Sequence, residues 1–341
     1  MTSSIENRND HVLVPVLLSA CAIPIFMMFW IINVAYSILR PDSESHIEDR
    51  SGISPWRWLL AVVIPFLLLF WGYRKKGINI IGGIFGFVMG FILTLSSYAY
   101  IAAVGTFFVT GSKATKFRSV EKKKIEADFK EGGQRGWAQA ICNCGLATQL
   151  ALLHLLEVGS GERPIDFNSE YRSSWLSVGV LGAFACCCGD TWASEFGTVL
   201  GKSDPFLITT WKRVPRGTNG GVSWMGLLCS FLGGLVVGLV YYVVILCTVD
   251  TTVLELSAPQ WPIILFGGFG GFIGSLLDSF FGATLQYSGI NEKGLIVERP
   301  GEGVKHISGK QVLDNHSVNL LASIGIVLIL PRIADVFWPS F

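Results

Sequence analysis

Between Cys186 and Ser223 the chain reads CCCGDTWASEFGTVLGKSDPFLITTWKRVPRGTNGGVS, and here its residue types can do chemistry. Asp190 and Glu195 stand at the end of an apolar stretch. Lys202, Lys212, Arg213 and Arg216 follow, ahead of the run Gly217-Thr218-Asn219-Gly220-Gly221. Carboxylates hold a divalent cation such as magnesium, while cationic side chains and open glycine amides bind phosphate. Together they describe a nucleotide or phosphorylated-lipid site at a membrane face. Spacing sets a condition, because residues five apart on an α-helix lie about 140° apart around its axis. Asp190 and Glu195 therefore reach one ion only where the helix breaks or frays. Magnesium commonly takes one or two protein carboxylates, with water and phosphate completing its octahedron, so Asp190 can also share an ion with Asp278 from another span. Two plainer readings stand beside these. Asp190 could cap a helix or pair with Lys202 or Arg213, and RGTNGG, which matches neither GxxxxGK[ST] nor GxGxxG, could be a turn entering the next span.

The elements that must position these residues are membrane helices. With 51% hydrophobic and 15% charged residues, the composition points to an all-α polytopic integral membrane protein. The whole of 1–341 reads as one membrane domain, with N-terminal spans in 1–77 and a core over 78–338. MTSSIENRND has no basic n-region and the apolar run Val12–Leu39 exceeds a signal-peptide core, so it is expected as a retained span. Further spans are expected at Trp58–Tyr73, Gly136–Leu156, Ser173–Gly189, Val222–Cys247, Trp261–Leu277 and His316–Leu330. The uncharged stretch between Lys76 and Lys113 is too long for one span, and reads as a tight helix pair broken near Thr94-Leu95-Ser96-Ser97. That makes nine spans. With the N-terminus inside, this topology gathers the lysines and arginines on the inside, leaving Arg40, Arg50, Arg57, Arg163, Arg172 and Arg332 outside. A single crossing between Lys76 and Lys113 would spoil the pattern. Asp190, Glu195, Asp278 and Asp314 then fall towards the inner face, with the loops Lys202–Gly221 and Ile290–Gln311.

Glycines pattern the later helices. Gly267, Gly271, Gly274, Asp278 and Gly282 form one stripe, and Gly226, Ser230, Gly234 and Gly238 repeat every four. Small residues at this spacing let membrane helices pack closely. An ionisable group inside a span is costly unless it pairs, binds an ion or faces water, so Asp278 is a functional candidate. Lys113–Lys130 is either an interfacial helix on anionic lipid or a solvated loop. Gln134, Arg135, Gln139 and Asn143 add polar groups at the inner end of one span, as do Asp314 and Asn315, flanked by His306 and His316. His154 reads as interfacial at the outer end of its span. The eight cysteines show no secretory spacing and are expected reduced or buried, with Cys186-Cys187-Cys188 packing as small apolar residues.

GSKATK, FKEGGQRGWAQ, GDTWASEFG, LITTWKRVPRGTNGGVS, SAPQWPI, GSLLDSFFGATLQYSG and DNHSVNL resemble the transmembrane protein 19 family, formerly called domain of unknown function 92, over about residues 80–338. That family includes the plant phytyl-phosphate kinase, so the resemblance implies a membrane kinase for isoprenyl monophosphates. Gly189-Asp190, Ala193, Gly197, Gly201 and Lys202, with Lys212 before the loop, are also similar in order to dolichol and phytol kinases. Those have an acid where this chain has Asn219-Gly220, which leaves their cytidine preference open here.

The expected function is transfer of a phosphoryl group from a nucleoside triphosphate (CTP or ATP) to an isoprenyl phosphate lipid, giving the diphosphate. Magnesium is held by Asp190 and Asp278, and Glu195 orients water or metal. Lys202, Lys212, Arg213 and Arg216 neutralise phosphates, and the Gly217–Gly221 amides cradle them. Asp314, Asn315 and Arg135 are possible additions. The isoprenyl tail is expected in a groove between the glycine-lined spans. The protein is placed in the endoplasmic reticulum or another endomembrane with its site facing the cytosol, among membrane lipids and with no nucleic-acid partner. The alternatives are a nucleotidyltransferase acting on a lipid phosphate and a transporter of a phosphorylated solute.

Overall fold

The computed structural model describes residues 53–117, 136–201 and 203–339. Within them the chain runs α1 (Pro55–Arg74), α2 (Ile80–Ser96), α3 (Tyr98–Lys116), α4 (Trp137–Glu157), α5 (Tyr171–Trp192), a π-helical turn (Ala193–Gly197), and a short α6 (Thr198–Leu200). Then come β1 (Phe206–Leu207), β2 (Gly221–Val222), α7 (Trp224–Thr248), α8 (Thr251–Leu256), α9 (Pro262–Leu285), β3 (Ser288–Ile290), β4 (Ile296–Val297), β5 (Lys305–Ser308) and α10 (Asn315–Phe337). The strands make two small antiparallel sheets, β1-β2 and β4-β3-β5. The all-α polytopic architecture stands.

Among the described residues, six helices are long and apolar enough to cross a membrane: α1, α4, α5 with its π turn, α7, α9 and α10. Nine spans were expected. Val12–Leu39 lies outside the described residues, and α2 and α3 fall below the mark, α2 because it has only 17 residues and α3 because threonine, serine and lysine dilute it. The expected helix pair is nevertheless present. Ser97, in extended conformation (φ −156°, ψ 140°), ends α2 and caps α3, its side chain accepting from the Ala99 amide. Gly86 faces Leu69 and Gly90 faces Pro65, so α2 runs antiparallel to α1, whereas Gly72 faces Phe108 and Gly105 faces Leu68, so α3 runs parallel to it.

α5 is the central rod: 78% of its apolar window is buried, against 33–44% in the other five. It touches α3, α4, α7, α9 and α10. Small residues make this possible. A methyl group added at Gly189 would sit 2.7 Å from the Gly271 Cα, and one at Gly238 would sit 2.7 Å from the Ile263 carbonyl oxygen. The glycine stripes thus close α5, α7 and α9 backbone to backbone. This overturns the expected lipid groove between the glycine-lined spans, because Gly234, Gly238, Gly267 and Gly271 face the opposing main chain and close α7 on α9. Cys186 fills the hollow beside Gly274.

Each pole has its own chemistry. At one, Arg57 bonds Glu162 through both nitrogens (3.1 and 2.7 Å), lies 3.9 Å over the Tyr98 ring, and shares Glu162 with the Tyr98 amide (2.6 Å). Nearby, Asp166 accepts from the amides of Asn168, Ser169 and Ala258, and Gln260 exchanges two bonds with Ile165. The SAPQWPI segment is therefore a structural tie. His154 is buried, not interfacial: its ring bridges Ser96 (3.4 Å) and Ser173 (3.2 Å) and meets Tyr100 edge-on. The opposite pole gathers Arg74, Lys75, Lys76, Lys113 and Lys116, where Lys116 Nζ reaches the Lys75 carbonyl (2.6 Å).

Candidate functional site

At this basic pole the ends of α5, α7, α9 and α10, the β1–β2 loop and β4 surround a cavity of about 380 Å³. Its charged lining residues are Asp190, Glu195, Arg216, Asp278 and Glu298, and Gly217–Gly221, Ser223, Ser275, Ser279 and Asn315 complete its polar wall. Three distant stretches singled out in the sequence converge here.

Asp190 arrives on the last turns of α5. The helix then widens into the π turn Ala193–Gly197, whose i→i+5 bonding draws residues five apart towards one side. This answers the spacing condition: the helix neither breaks nor frays, yet Asp190 and Glu195 line one cavity. Glu195 is buried, with 8% exposure. Gly197 permits the turn to reach α7, since a methyl there would sit 2.7 Å from Gly226 Cα.

Asp278 arrives on α9, within the glycine stripe. Ser275, one turn earlier, donates to Asp190 Oδ1 at 3.5 Å, so α9 reaches both carboxylates. With its nitrogen turned towards two acceptors, the Asn319 amide donates to Asp278 Oδ2 (3.0 Å) and to the Asn315 carbonyl (2.9 Å). The two aspartates feel each other's charge.

The glycine loop is bound to this scaffold. Gly220 has φ +79° and presses on Ala283 and the Ser279 carbonyl, a backbone state that glycine adopts without penalty. Asn219 donates from its amide to Ser288 Oγ (3.0 Å) and from its side chain to the Tyr287 carbonyl (3.2 Å). Three of the five expected cradle amides are therefore already used: Thr218 on the Pro215 carbonyl, Asn219 on Ser288, and Gly221 on the Thr218 carbonyl. Among the described residues, the Gly217 and Gly220 amides have no protein acceptor.

The basic residues divide. Arg216 lines the cavity and lies 3.8 Å from Asp204. Lys212 and Arg213 do not line it. The turn between β1 and β2 carries them outward, where the Lys212 carbonyl accepts from Leu207 and Arg213 bonds the Asp204 carbonyl (3.1 Å) and covers Phe206. Arg213 is thus not Asp190's ion-pair partner. Lys202, Arg135 and most of Lys113–Lys130 lie outside the described residues. Asp314 is a cap for α10, its carboxylate accepting from the Ser317 amide (2.9 Å), which leaves Asn315 as the cavity residue of that pair. His306 bonds the Gly309 carbonyl (2.9 Å).

Sequence reasoning missed Ser275, Ser279, Glu298 and Asn319. Ser275 stands three before Asp278, a helical neighbour spacing that could have found it. Nothing local marks Glu298, which reaches the cavity only through the β4-β3-β5 sheet.

Residues 63–327 match the family described as integral membrane protein DUF92. The chain belongs to this family. It is 39% identical over 283 residues to Protein PGR of Arabidopsis thaliana, covering 83% of this chain and 97% of that protein. It is 33% identical over 253 residues to an uncharacterized membrane protein of Synechocystis, covering 70% and 87%. To Protein VTE6, chloroplastic, of Arabidopsis thaliana it is 28% identical over 232 residues, covering 67% and 61%. No solved structure matches. The DUF92 match contains every lining residue of the cavity, from Asp190 to Asn315.

Proposed function

We propose that this DUF92 protein is a membrane lipid-phosphate kinase, moving the terminal phosphoryl group of a nucleoside triphosphate onto an isoprenyl monophosphate. The observation that carries the reading is the meeting of Asp190, Asp278, Arg216 and the glycine loop in one cavity at the basic ends of apolar helices. The motif resemblance to a family that includes the plant phytyl-phosphate kinase supports it.

Asp190 and Asp278 come from two helices onto one cavity wall, with Ser275 on the first and Asn319 on the second. Two carboxylates fit magnesium, which ordinarily takes one or two and keeps water and phosphate for the rest. A magnesium ion bound there would offset negative charge on the β- and γ-phosphate oxygens. Arg216 would contribute a second cation, and the Gly217 and Gly220 amides the remaining donors. Glu195 would orient a water in that shell. The cavity holds four carboxylates and one arginine among the described residues, a balance suited to a nucleotide arriving with its cation rather than to bare phosphate.

In the reaction an oxygen of the lipid phosphate forms a bond to the γ-phosphorus. The bond to the β–γ bridging oxygen breaks, and nucleoside diphosphate leaves. The acceptor is already anionic, so no general base is required, and the protein's task is positioning and charge compensation. A site at the basic pole faces the cytosol under the positive-inside rule.

Purified protein incubated with CTP, ATP and a panel of isoprenyl monophosphates should yield the isoprenyl diphosphate and a nucleoside diphosphate. Pyrophosphate with a nucleotide-linked lipid would replace this reading with nucleotidyl transfer. No turnover of any pair, together with solute uptake into vesicles, would replace it with transport.

A further inference from the structure

The geometry points to Asn319 as a positioning residue that aims the Asp278 carboxylate into the cavity. Asn319 lies on α10, one turn after Asn315, and is half-buried. Its nitrogen is held at two points, 2.9 Å from the Asn315 carbonyl and 3.0 Å from Asp278 Oδ2. The two bonds tie the amide at once to its own helix and to α9. One carboxylate oxygen of Asp278 is thereby fixed. Among the described residues the other, Oδ1, has no protein donor, and the residue lines the cavity.

An amide does this where other side chains would not. A carboxylate at 319 would repel Asp278, a lysine or arginine would neutralise it, and an aliphatic residue would leave its direction unset. The amide fixes direction and preserves charge, which a cation ligand needs. The inference rests on the proposed function in one respect, that Asp278 binds a divalent cation.

The test uses magnesium as probe and the full chain in detergent. Thermal stability of wild type, Asn319→Asp, Asn319→Ala and Asp278→Asn is followed against magnesium concentration, since a ligand of the folded state raises the melting point with the logarithm of its concentration relative to its Kd. Wild type should be stabilised by magnesium. Asn319→Ala should need about tenfold more magnesium for the same shift, the worth of one hydrogen bond to a charged group, and Asn319→Asp should differ further from wild type. The reciprocal double variant Asp278→Asn with Asn319→Asp restores one amide beside one carboxylate and should regain part of the response. If wild type gains nothing from magnesium, the metal reading fails and the role of Asn319 with it. If wild type responds and Asn319→Ala responds identically, the metal reading survives and the positioning role is overturned. Should Asn319→Asp fail to fold, Asn319→Ala alone decides.

Discussion

Replacing Gly220 by alanine tests whether the glycine loop is part of the site or only a turn. The φ of +79° costs an alanine roughly 1–2 kcal/mol. The new methyl would also meet the Ser279 carbonyl oxygen at 2.6 Å and Ala283 Cα at 2.7 Å, backbone that cannot move aside, and such overpacking adds about 1–3 kcal/mol. The change should therefore cost about 2–5 kcal/mol. Unfolding entropy of about 2.1 cal/mol/K per residue across 341 residues converts this to a melting-point fall of about 3–7 °C. Gly221 is the control. It has no positive φ, and its added methyl would stand 3.0 Å from the Thr218 carbonyl and 3.1 Å from Pro205. About 1 kcal/mol of crowding there is offset by the reduced freedom of the unfolded chain. Scanning fluorimetry in detergent gives the melting points, and turnover is measured on the folded fraction at low temperature. Gly220→Ala melting with wild type would refute the packing of this loop on α9. A lowered melting point with full turnover would refute the loop's part in catalysis.

Three further outcomes follow from the geometry. Arg216→Ala should weaken nucleotide or lipid-phosphate use about tenfold, whereas Lys212→Ala and Arg213→Ala should leave kinetics nearly unchanged; equal losses from all three in steady-state assays would return the outer two to the site. Glu162→Ala should destabilise the protein by about 3–5 kcal/mol, because Arg57 and Glu162 are only 11% and 6% exposed and the guanidinium would be left desolvated; a melting point within one degree of wild type would contradict this. Hydrogen bonds from the Ser317 hydroxyl and amide hold the Asp314 carboxyl below the ordinary aspartate range. Its capping stability is therefore complete above the unfolded value near pH 4 and is lost as pH falls through the lower folded value. Asp314→Ala should cost about 1 kcal/mol at pH 7 without changing turnover, and the gap from wild type should close in strong acid.

Much of the fold was legible because hydropathy and charge act over whole spans. The helix pair between Lys76 and Lys113 followed from the length of the uncharged stretch and from charge sidedness, and the stripe carrying Asp278 from spacing on α9. What stayed hidden depends on partners distant in sequence. His154 looked interfacial because its satisfaction comes from Ser96 and Ser173 on other helices. Small residues can either open a gap or close one, and only the facing element decides. Here Gly189 meets Gly271, and the gap closes. Lys212, Arg213 and Arg216 are alike in sequence, yet two-residue strands too short for any periodic signal turn the first two away from the cavity.

The π turn joins the stability of the bundle to the shape of the site. An unbroken α-helix through Gly197 would place Glu195 well around the axis from Asp190. Tertiary packing therefore has to hold the wider turn. Phe196 meets both Phe117 and Trp192 edge-on, at 5.2 and 5.4 Å between ring centres. Trp192 also donates to Thr110 Oγ1 (3.3 Å), and Gly197 lets the turn rest on Gly226. The aromatic clamp thus draws on α3, and the glycine contact on α7. Neither contact touches a carboxylate, yet both hold the turn that carries Glu195. An acid five residues after Asp190 is useful only in a protein whose neighbouring helices widen that turn, so the site's geometry belongs to the bundle as much as to the motif.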